Sequence, residues 1–239
     1  MFDQFVIILR RPRDVRNCGA VVRAMKNMGF SRLRLVEAAD VRVEDILGIA
    51  HRSDDILARI EHYDDLATAL GDTSLVVGTS ARLHANVQLR SDIRDLAAEL
   101  HGYARYGLVA LLFGPEDKGL DNEALARCHI LLRLPVDLAY PSLNLAQAVL
   151  LVLYELRQAA TAPLTPTPRA LATAASLDRS LATVGQLLGA IDFVKSGDGA
   201  TLRRELRAIL NRAQLDEREA ALLTAVAREV LRYVERSTK

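Results

Sequence analysis

Short apolar runs alternate with longer amphipathic segments over roughly the first two thirds of the chain. Each run is too short for a typical helix, and most runs end at glycine, proline or a group of polar residues, which is the pattern of buried strands. The predicted strands cover residues 5–9, 33–36, 57–62, 75–78, 108–113 and 130–134. Strands that alternate with helices at this spacing predict an α/β fold, with a mostly parallel sheet and helices on both of its faces.

The segments between the strands carry the start and stop signals of helices. Asp92 and the pair Asp121 and Asn122 can each cap a helix N-terminus, and Gly29 can end the first helix. The predicted helices cover residues 18–28, 43–50, 64–70, 92–103, 123–127 and 144–157. The last of these is apolar nearly all round, so we expect it to be covered on more than one side.

The composition changes at the proline-rich stretch of residues 161–168, which predicts an extended linker. Beyond it lie only helical patterns, over residues 170–191, 201–212 and 216–236. The sequence therefore predicts a first domain of residues 1–160 and a small helical domain of residues 169–239. In its middle helix, Leu202, Leu206 and Ile209 form the expected buried stripe, and three arginines face elsewhere.

Composition and local motifs exclude several classes of protein. Half of the residues are apolar, which is ample for a core. Cys18 and Cys128 stand alone, and the histidines lack metal-ligand spacing, so we expect neither a disulfide framework nor a metal. The N-terminus lacks the apolar segment of a signal peptide, and we expect a soluble, cytoplasmic protein without a membrane span. Dinucleotide and P-loop fingerprints are absent from the sequence.

Positive charge is concentrated locally, although the net charge of the chain is only +1. The loop after the first strand holds Arg10, Arg11, Arg13 and Arg16, with Asp14 as the one acidic residue among them. From residue 163 onward, 12 Lys/Arg face 9 Asp/Glu, a net +3 against −2 for the rest. A nucleic-acid surface would have to be a local patch of this kind.

Four short segments combine polar residues with breaks in the apolar pattern, and each has a structural alternative. Arg23 lies near a helix N-terminus, which favours phosphate, but alone it could equally be an exposed helix arginine. Glu116 follows a buried strand and could orient the planar guanidinium of Arg23, or could be a surface carboxylate. Ser142 and Asn144 could be helix caps, ligand contacts, or both. The polar residues 79–82 could form either a solvated turn or a pocket wall.

The same segments resemble the sequence motifs of a known protein family. FGPEDKGL at residues 113–120 and YPSLNLAQAV at residues 140–149 resemble, in order, the second and third motifs of the SpoU-type RNA 2′-O-methyltransferases of the SPOUT superfamily. Asn17-x-Gly19-x-x-x-Arg23 resembles the first motif, although Arg16 stands where many relatives have glycine. The C-terminal helices look like those of tRNA methyltransferases that modify cytidine or uridine at position 32 of the anticodon loop.

This resemblance implies a C-terminal trefoil knot that holds S-adenosylmethionine, transfer of its methyl group to a ribose 2′-hydroxyl of tRNA, and a homodimer. The residues implied in catalysis are Asn17, Arg23, Glu116, Ser142 and Asn144. Those implied in cofactor binding are Thr79, Ser80, Ala81, Gly114, Leu134, Ser142, Leu143 and Asn144. Those expected to contact RNA are Arg10, Arg11, Arg13, Arg16, Arg82, Arg203, Arg204 and Arg207. The alternatives are a methyltransferase for ribosomal RNA or another tRNA position, and a non-catalytic RNA-binding protein of this fold.

Overall fold

The computed structural model describes residues 2–38, 41–80, 88–137, 139–160, 170–193 and 199–237. In this part of the chain a single sheet contains strands β1 Phe5–Arg10, β2 Leu33–Val36, β3 Glu61–Tyr63, β4 Thr73–Thr79, β5 Gln88–Arg90, β6 Leu108–Phe113 and β7 Ile130–Leu132. The strand order is β3-β2-β1-β6-β4-β7-β5, and every pairing is parallel. The predicted parallel α/β sheet is confirmed, whereas the trefoil knot stays a prediction from the resemblance.

The helices begin and end largely where local signals place them. They are α1 Val15–Met28, α2 Val43–Leu47, α3 Asp54–Leu57, α4 Leu66–Leu70, α5 Ile93–Tyr103, α6 Asn122–Arg127, α7 Leu145–Ala159, α8 Ala174–Ala190, α9 Gly199–Ala213 and α10 Glu217–Ser237. The side chains of Asp92, Asp121 and Asn144 accept hydrogen bonds from the first turns of α5, α6 and α7. Gly29 ends α1 with φ +81°, a left-handed conformation that favours glycine. The predicted caps are therefore confirmed.

The prediction for residues 57–62 is partly wrong. Asp54–Leu57 forms the short helix α3, and the strand is limited to Glu61–Tyr63, which pairs with β2. Strand β5 was not predicted, because its three residues are polar or exposed and offer no apolar run. Both errors concern strands at the edges of the sheet, where burial imposes the least pattern on a sequence.

Two apolar cores lie on opposite faces of the sheet, because alternate strand residues point in opposite directions. Ile7 and Leu9 of β1 face the core under α1, α5 and α7, whereas Val6 and Ile8 face the core that includes residues of α4 and α6. Helices therefore cover both faces, as predicted. The carboxyl ends of the strands meet at one edge, where ligands of open α/β sheets bind.

The C-terminal helices pack on the second face of the sheet, through α6 and α4. The Asn211 amide donates hydrogen bonds to the carbonyls of Ala126 (3.0 Å) and Cys128 (3.2 Å), at the end of α6. The predicted stripe on α9 is partly wrong, because Ile209 is 49% exposed. The predicted linker, residues 161–168, lies outside the described residues. Among the described helices, none has the length and apolar character that a membrane span requires.

Candidate active site

A cavity of about 360 Å³ opens at the carboxyl edge of the sheet, where β4, β6 and β7 end. Its walls come from the loop after β6, the end of β4, the segment after β7 and the start of α7. Six of the residues implied in cofactor binding line it: Thr79, Ser80, Gly114, Leu134, Ser142 and Leu143. Asn144 caps α7 beside the cavity, and Ala81 lies outside the described residues. The structure thus gathers segments that are distant in sequence around one space.

The loop after β6 turns back tightly on itself. The Gly119 amide donates to the Pro115 carbonyl at 2.9 Å, and Gly119 has φ +66°. A Cβ atom at Gly114 would collide with the backbone of Gly119 and Leu120. Glycine at position 114 therefore permits the close approach that shapes this wall of the cavity.

Three polar side chains form a continuous hydrogen-bonded chain at the cavity mouth. Glu116 accepts from the Asn17 amide at 2.8 Å, and the Asn144 amide donates to Asn17 Oδ1 at 2.8 Å. Glu116 also accepts from the backbone N–H groups of Arg13 (3.2 Å) and Asp14 (3.4 Å). Asn17 stands in the middle and contacts both other residues, and we call the arrangement the Asn17–Glu116–Asn144 bridge. It fixes the N-termini of α1 and α7 to the loop after β6.

Arg23 does not belong to this bridge. The expectation that Glu116 orients Arg23 is wrong for a single chain, because Asn17 takes that position. Arg23 lies six residues further along α1, on a different side of the helix from Asn17, and is exposed. Within the described residues it makes no hydrogen bond or ion pair. A full site that includes Arg23 would need a second chain or a bound substrate.

Arg10 is a structural residue, so its predicted role in RNA binding is wrong. It is 2% exposed, and its guanidinium contacts Glu37 at 2.8 Å, Asp121 at 2.5 Å and Glu123 at 2.7 Å. Burial alone would lower the pKa of Arg10, but the hydrogen bond to Glu37 and the two other carboxylates outweigh burial and raise it. A side chain held in this way is not available to a phosphate.

The other predicted RNA contacts differ in accessibility. Three of these arginines are exposed, and each has an acidic partner at 2.8 Å. Arg11 pairs with Glu37, Arg13 with Asp117 and Arg16 with Asp14. Exposed ion pairs of this kind are weak, so a phosphate can compete with the carboxylate. The loop is therefore less positive than its sequence suggests, because acidic residues from elsewhere in the chain reach it.

The three arginines of α9 that were predicted to contact RNA also differ in exposure. Arg203 and Arg204 are exposed. The prediction for Arg207 is wrong, because its side chain is 11% exposed and paired with Asp178, which also contacts Arg127 of α6 at 3.4 Å. Arg207 therefore helps to hold the helical part against the sheet domain. Arg82 lies outside the described residues.

The buried cysteines do not supply a nucleophile. Burial raises the pKa of both the Cys18 and the Cys128 thiol to about 12, so both remain protonated at neutral pH. An enzyme that attacks its substrate through a thiolate would need a reactive cysteine at the cavity, and neither residue provides one. The described residues hold no cluster of three or more potential metal-ligating His, Cys, Asp or Glu side chains. The polar groups at the cavity are amides, carboxylates and hydroxyls, together with the ammonium group of Lys118.

Comparison with known proteins identifies the class and then the family. A model described as the SpoU rRNA Methylase family matches residues 4–154, a range that contains the whole sheet and the cavity. The protein is thus an RNA methyltransferase of α/β architecture. The chain belongs to the SpoU rRNA methylase family.

Similar proteins extend this finding over the full length. A tRNA (cytidine/uridine-2′-O-)-methyltransferase, TrmJ, from Citrobacter koseri is 32% identical over 100% of this chain and 99% of its own. The crystal structure of TrmJ from Z. mobilis superposes with a TM-score of 0.83 at 27% identity, covering 94% and 98% of the two chains. AviRb from Streptomyces viridochromogenes, solved with AdoMet, shares the fold at a TM-score of 0.50 and 20% identity, over 67% and 59% of the chains.

Proposed function

We propose that this protein transfers the methyl group of S-adenosylmethionine to the ribose 2′-hydroxyl of cytidine or uridine at position 32 of the tRNA anticodon loop. The observation that carries this proposal is the Asn17–Glu116–Asn144 bridge at the mouth of the cavity. The full-length similarity to tRNA 2′-O-methyltransferases supports the substrate. Such a substrate would place the protein in the cytoplasm.

The cavity fits S-adenosylmethionine in size and chemistry. Its volume of about 360 Å³ lies within the range of small-molecule sites. Leu134, Val136 and Leu143 provide an apolar wall suited to adenine, and Thr79, Ser80 and Ser142 offer hydroxyl groups to ribose or amino acid polar atoms. When bound, the cofactor supplies an electrophilic methyl carbon on a positively charged sulfur, whose neutral thioether needs no further stabilisation as a leaving group.

The protein's own residues then have positioning and electrostatic roles. The Asn17–Glu116–Asn144 bridge holds the loop after β6 against α7, so that Ser142 stays at the cavity wall where a ribose would enter. Arg23 is proposed to hold the phosphate beside the target ribose and to stabilise the alkoxide as the 2′-hydroxyl loses its proton to water. Action of Arg23 as the base itself is demanding, because an arginine normally stays protonated.

A homodimer would bring Arg23 to a cavity. Helix α7 exposes the apolar residues Leu150, Leu151 and Tyr154, and α7 packs beside α1, which carries Arg23 on its exposed side. A second copy seated on this face would remove apolar surface from water. We propose that it also places Arg23 of one protomer near the cavity of its partner, as the resemblance implies.

Leu151→Glu tests the dimer. A buried, unpaired carboxylate at the centre of an apolar interface should convert a dimer into a folded monomer with little methyltransferase activity. Light scattering at micromolar protein would measure the mass, with circular dichroism as a check on folding. Leu222→Glu is the control, because Leu222 is also an exposed leucine (64%, against 44% for Leu151) but lies on α10. An active wild-type monomer, or an unchanged dimer in Leu151→Glu, would refute the interface.

The accessible arginines of α9 are proposed to add tRNA phosphate contacts. Loss of Arg203 and Arg204 together should weaken tRNA binding and reduce the slope of log affinity against log salt by about one to two, the value for one to two lost phosphate contacts. Arg207→Ala should instead lower thermal stability, because it leaves Asp178 with one fewer partner. Filter binding across a salt series measures the slope, and thermal unfolding measures the stability. An unchanged slope in the double variant would remove α9 from the RNA surface.

The function itself is tested by mapping ribose methylation in total RNA from a strain that lacks this protein. We expect the loss of 2′-O-methylation at tRNA position 32, restored by the wild-type chain and not by Ser142→Ala. Loss at a ribosomal RNA nucleotide or at another tRNA position would establish the alternative substrate. Unchanged methylation throughout would leave a non-catalytic RNA-binding protein.

A further inference from the structure

Tyr140 presents an aromatic ring almost entirely to solvent. At 80% it is the most exposed of the large hydrophobic side chains in the described residues. Its hydroxyl has no hydrogen-bond partner there either. A tyrosine combines a large apolar face with a polar tip and is favoured where a ligand covers the face. Its location determines what that ligand could be.

The backbone amides of Ala139 and Tyr140 are both hydrogen-bonded, and the residues that follow Tyr140 line the cavity. The amide of Ala139 donates to Asp137 Oδ1 at 2.8 Å, and the amide of Tyr140 donates to the Asp137 carbonyl at 3.1 Å. Pro141 follows and restricts the backbone of Tyr140 to extended conformations. Pro141 and Ser142 both line the cavity. Tyr140 is therefore followed directly by two residues of the cavity wall, and its own backbone N–H is hydrogen-bonded.

The geometry of the reaction leaves a nucleobase outside the cavity. A ribose that reaches Ser142 belongs to a nucleotide whose base must be held elsewhere, since the methyl donor would occupy the cavity itself. Proteins recognise unpaired bases in RNA loops by stacking them on aromatic side chains. Three other tyrosines are exposed, to a smaller degree (45–67%), and they lie away from the cavity loops: Tyr106 precedes β6, Tyr154 is on α7 and Tyr233 is on α10.

We propose that Tyr140 stacks on the unpaired base of the target nucleotide. This inference rests on the proposed function, because it needs an RNA loop as substrate. A ring that contacts the face of a base does not read its Watson–Crick edge, so stacking tolerates both pyrimidines. The adenine of the methyl donor has the same ring chemistry, but Leu134 and Leu143 already line the cavity where it would lie, and Tyr140 does not.

The test compares Tyr140→Ala, Tyr140→Leu and Tyr140→Phe with wild type on tRNA transcripts that carry cytidine or uridine at the target position. Alanine and leucine should raise the KM and the Kd for tRNA about tenfold or more, equally for both transcripts. Phenylalanine, which keeps the ring, should stay within about twofold of wild type. S-adenosylmethionine affinity by calorimetry and mass by light scattering should not change. Tyr106→Ala is the matched control and should behave as wild type.

Several results would overturn the inference. One is an unchanged tRNA affinity in Tyr140→Ala. A loss of S-adenosylmethionine affinity would assign the ring to adenine, and a change of mass would make the ring a subunit contact. A phenylalanine variant as weak as alanine would assign the effect to the hydroxyl. If wild type methylates both transcripts and Tyr140→Ala matches it, this inference alone fails. If wild type methylates neither, the proposed function fails as well.

Discussion

Arg23→Ala is expected to lower the turnover number by about a hundredfold or more, the scale for one charge-stabilising or acid–base group. The affinity for S-adenosylmethionine should be unchanged, because Arg23 does not line the cavity. Affinity for tRNA should fall only a few-fold, since other arginines remain. Arg23→Lys should also fail largely, because an ammonium does not reproduce the planar two-pronged geometry of a guanidinium. Single-turnover kinetics at saturating tRNA would measure this. Arg105→Ala, at an exposed arginine before β6, is the control.

Mixed dimers would show which protomer supplies Arg23. If it acts on the partner's cavity, mixing Arg23→Ala with Ser142→Ala subunits creates heterodimers with one intact site, and random exchange restores about a quarter of wild-type activity. If Arg23 acts within its own chain, the mixture stays inactive. Turnover near the wild-type rate in Arg23→Ala alone would make Arg23 a phosphate contact and contradict its catalytic role.

Glu116→Gln is expected to weaken S-adenosylmethionine binding about tenfold or more and to lower turnover further, because Glu116 accepts from three donors. A glutamine has one acceptor oxygen and turns its amide N–H₂ toward donors, so at least one of them is left without a partner. The loop after β6 should then lose its position against α1. Calorimetry measures the affinity, and thermal unfolding should show a destabilisation of about 1–3 kcal/mol.

Glu99→Gln is the matched control for this change. Glu99 lies on α5, does not line the cavity, and its carboxylate accepts from the guanidinium of Arg90 at 2.8 Å. This variant should bind S-adenosylmethionine as wild type does. If Glu116 and Asn17 act through one bridge, their alanine variants should be non-additive in a double-mutant cycle. Wild-type affinity in Glu116→Gln would show that the bridge does not shape the cavity.

The central strands and the helix caps could be predicted because their signals are local. A buried strand such as β6 is a short apolar run, and a cap such as Asn144 is a side chain within three residues of the N–H groups it binds. Edge strands gave no such signal. Strand β5 is polar or exposed, and its place in the sheet follows from pairing with β7, which lies 42 residues further along the chain.

The candidate site shows the same difference between local features, which could be predicted, and contacts between distant residues, which could not. The motif residues were found from the resemblance, but their contacts were not. Arg10 was expected in a basic loop, whereas its carboxylate partners lie 27, 111 and 113 residues away and meet it at the carboxyl edge of the sheet. The position of Asn17 between Glu116 and Asn144 likewise depends on how α1 and α7 pack, which no local pattern records.

Transfer of a labelled methyl group to a single ribose tests the central claim most directly. Purified protein and labelled S-adenosylmethionine would be given a tRNA transcript, or the same transcript with a 2′-deoxyribose at position 32. We expect label in the first transcript, recovered after digestion as a 2′-O-methylated nucleotide, and none in the second. Equal labelling of both transcripts, or label on a base, would contradict the account.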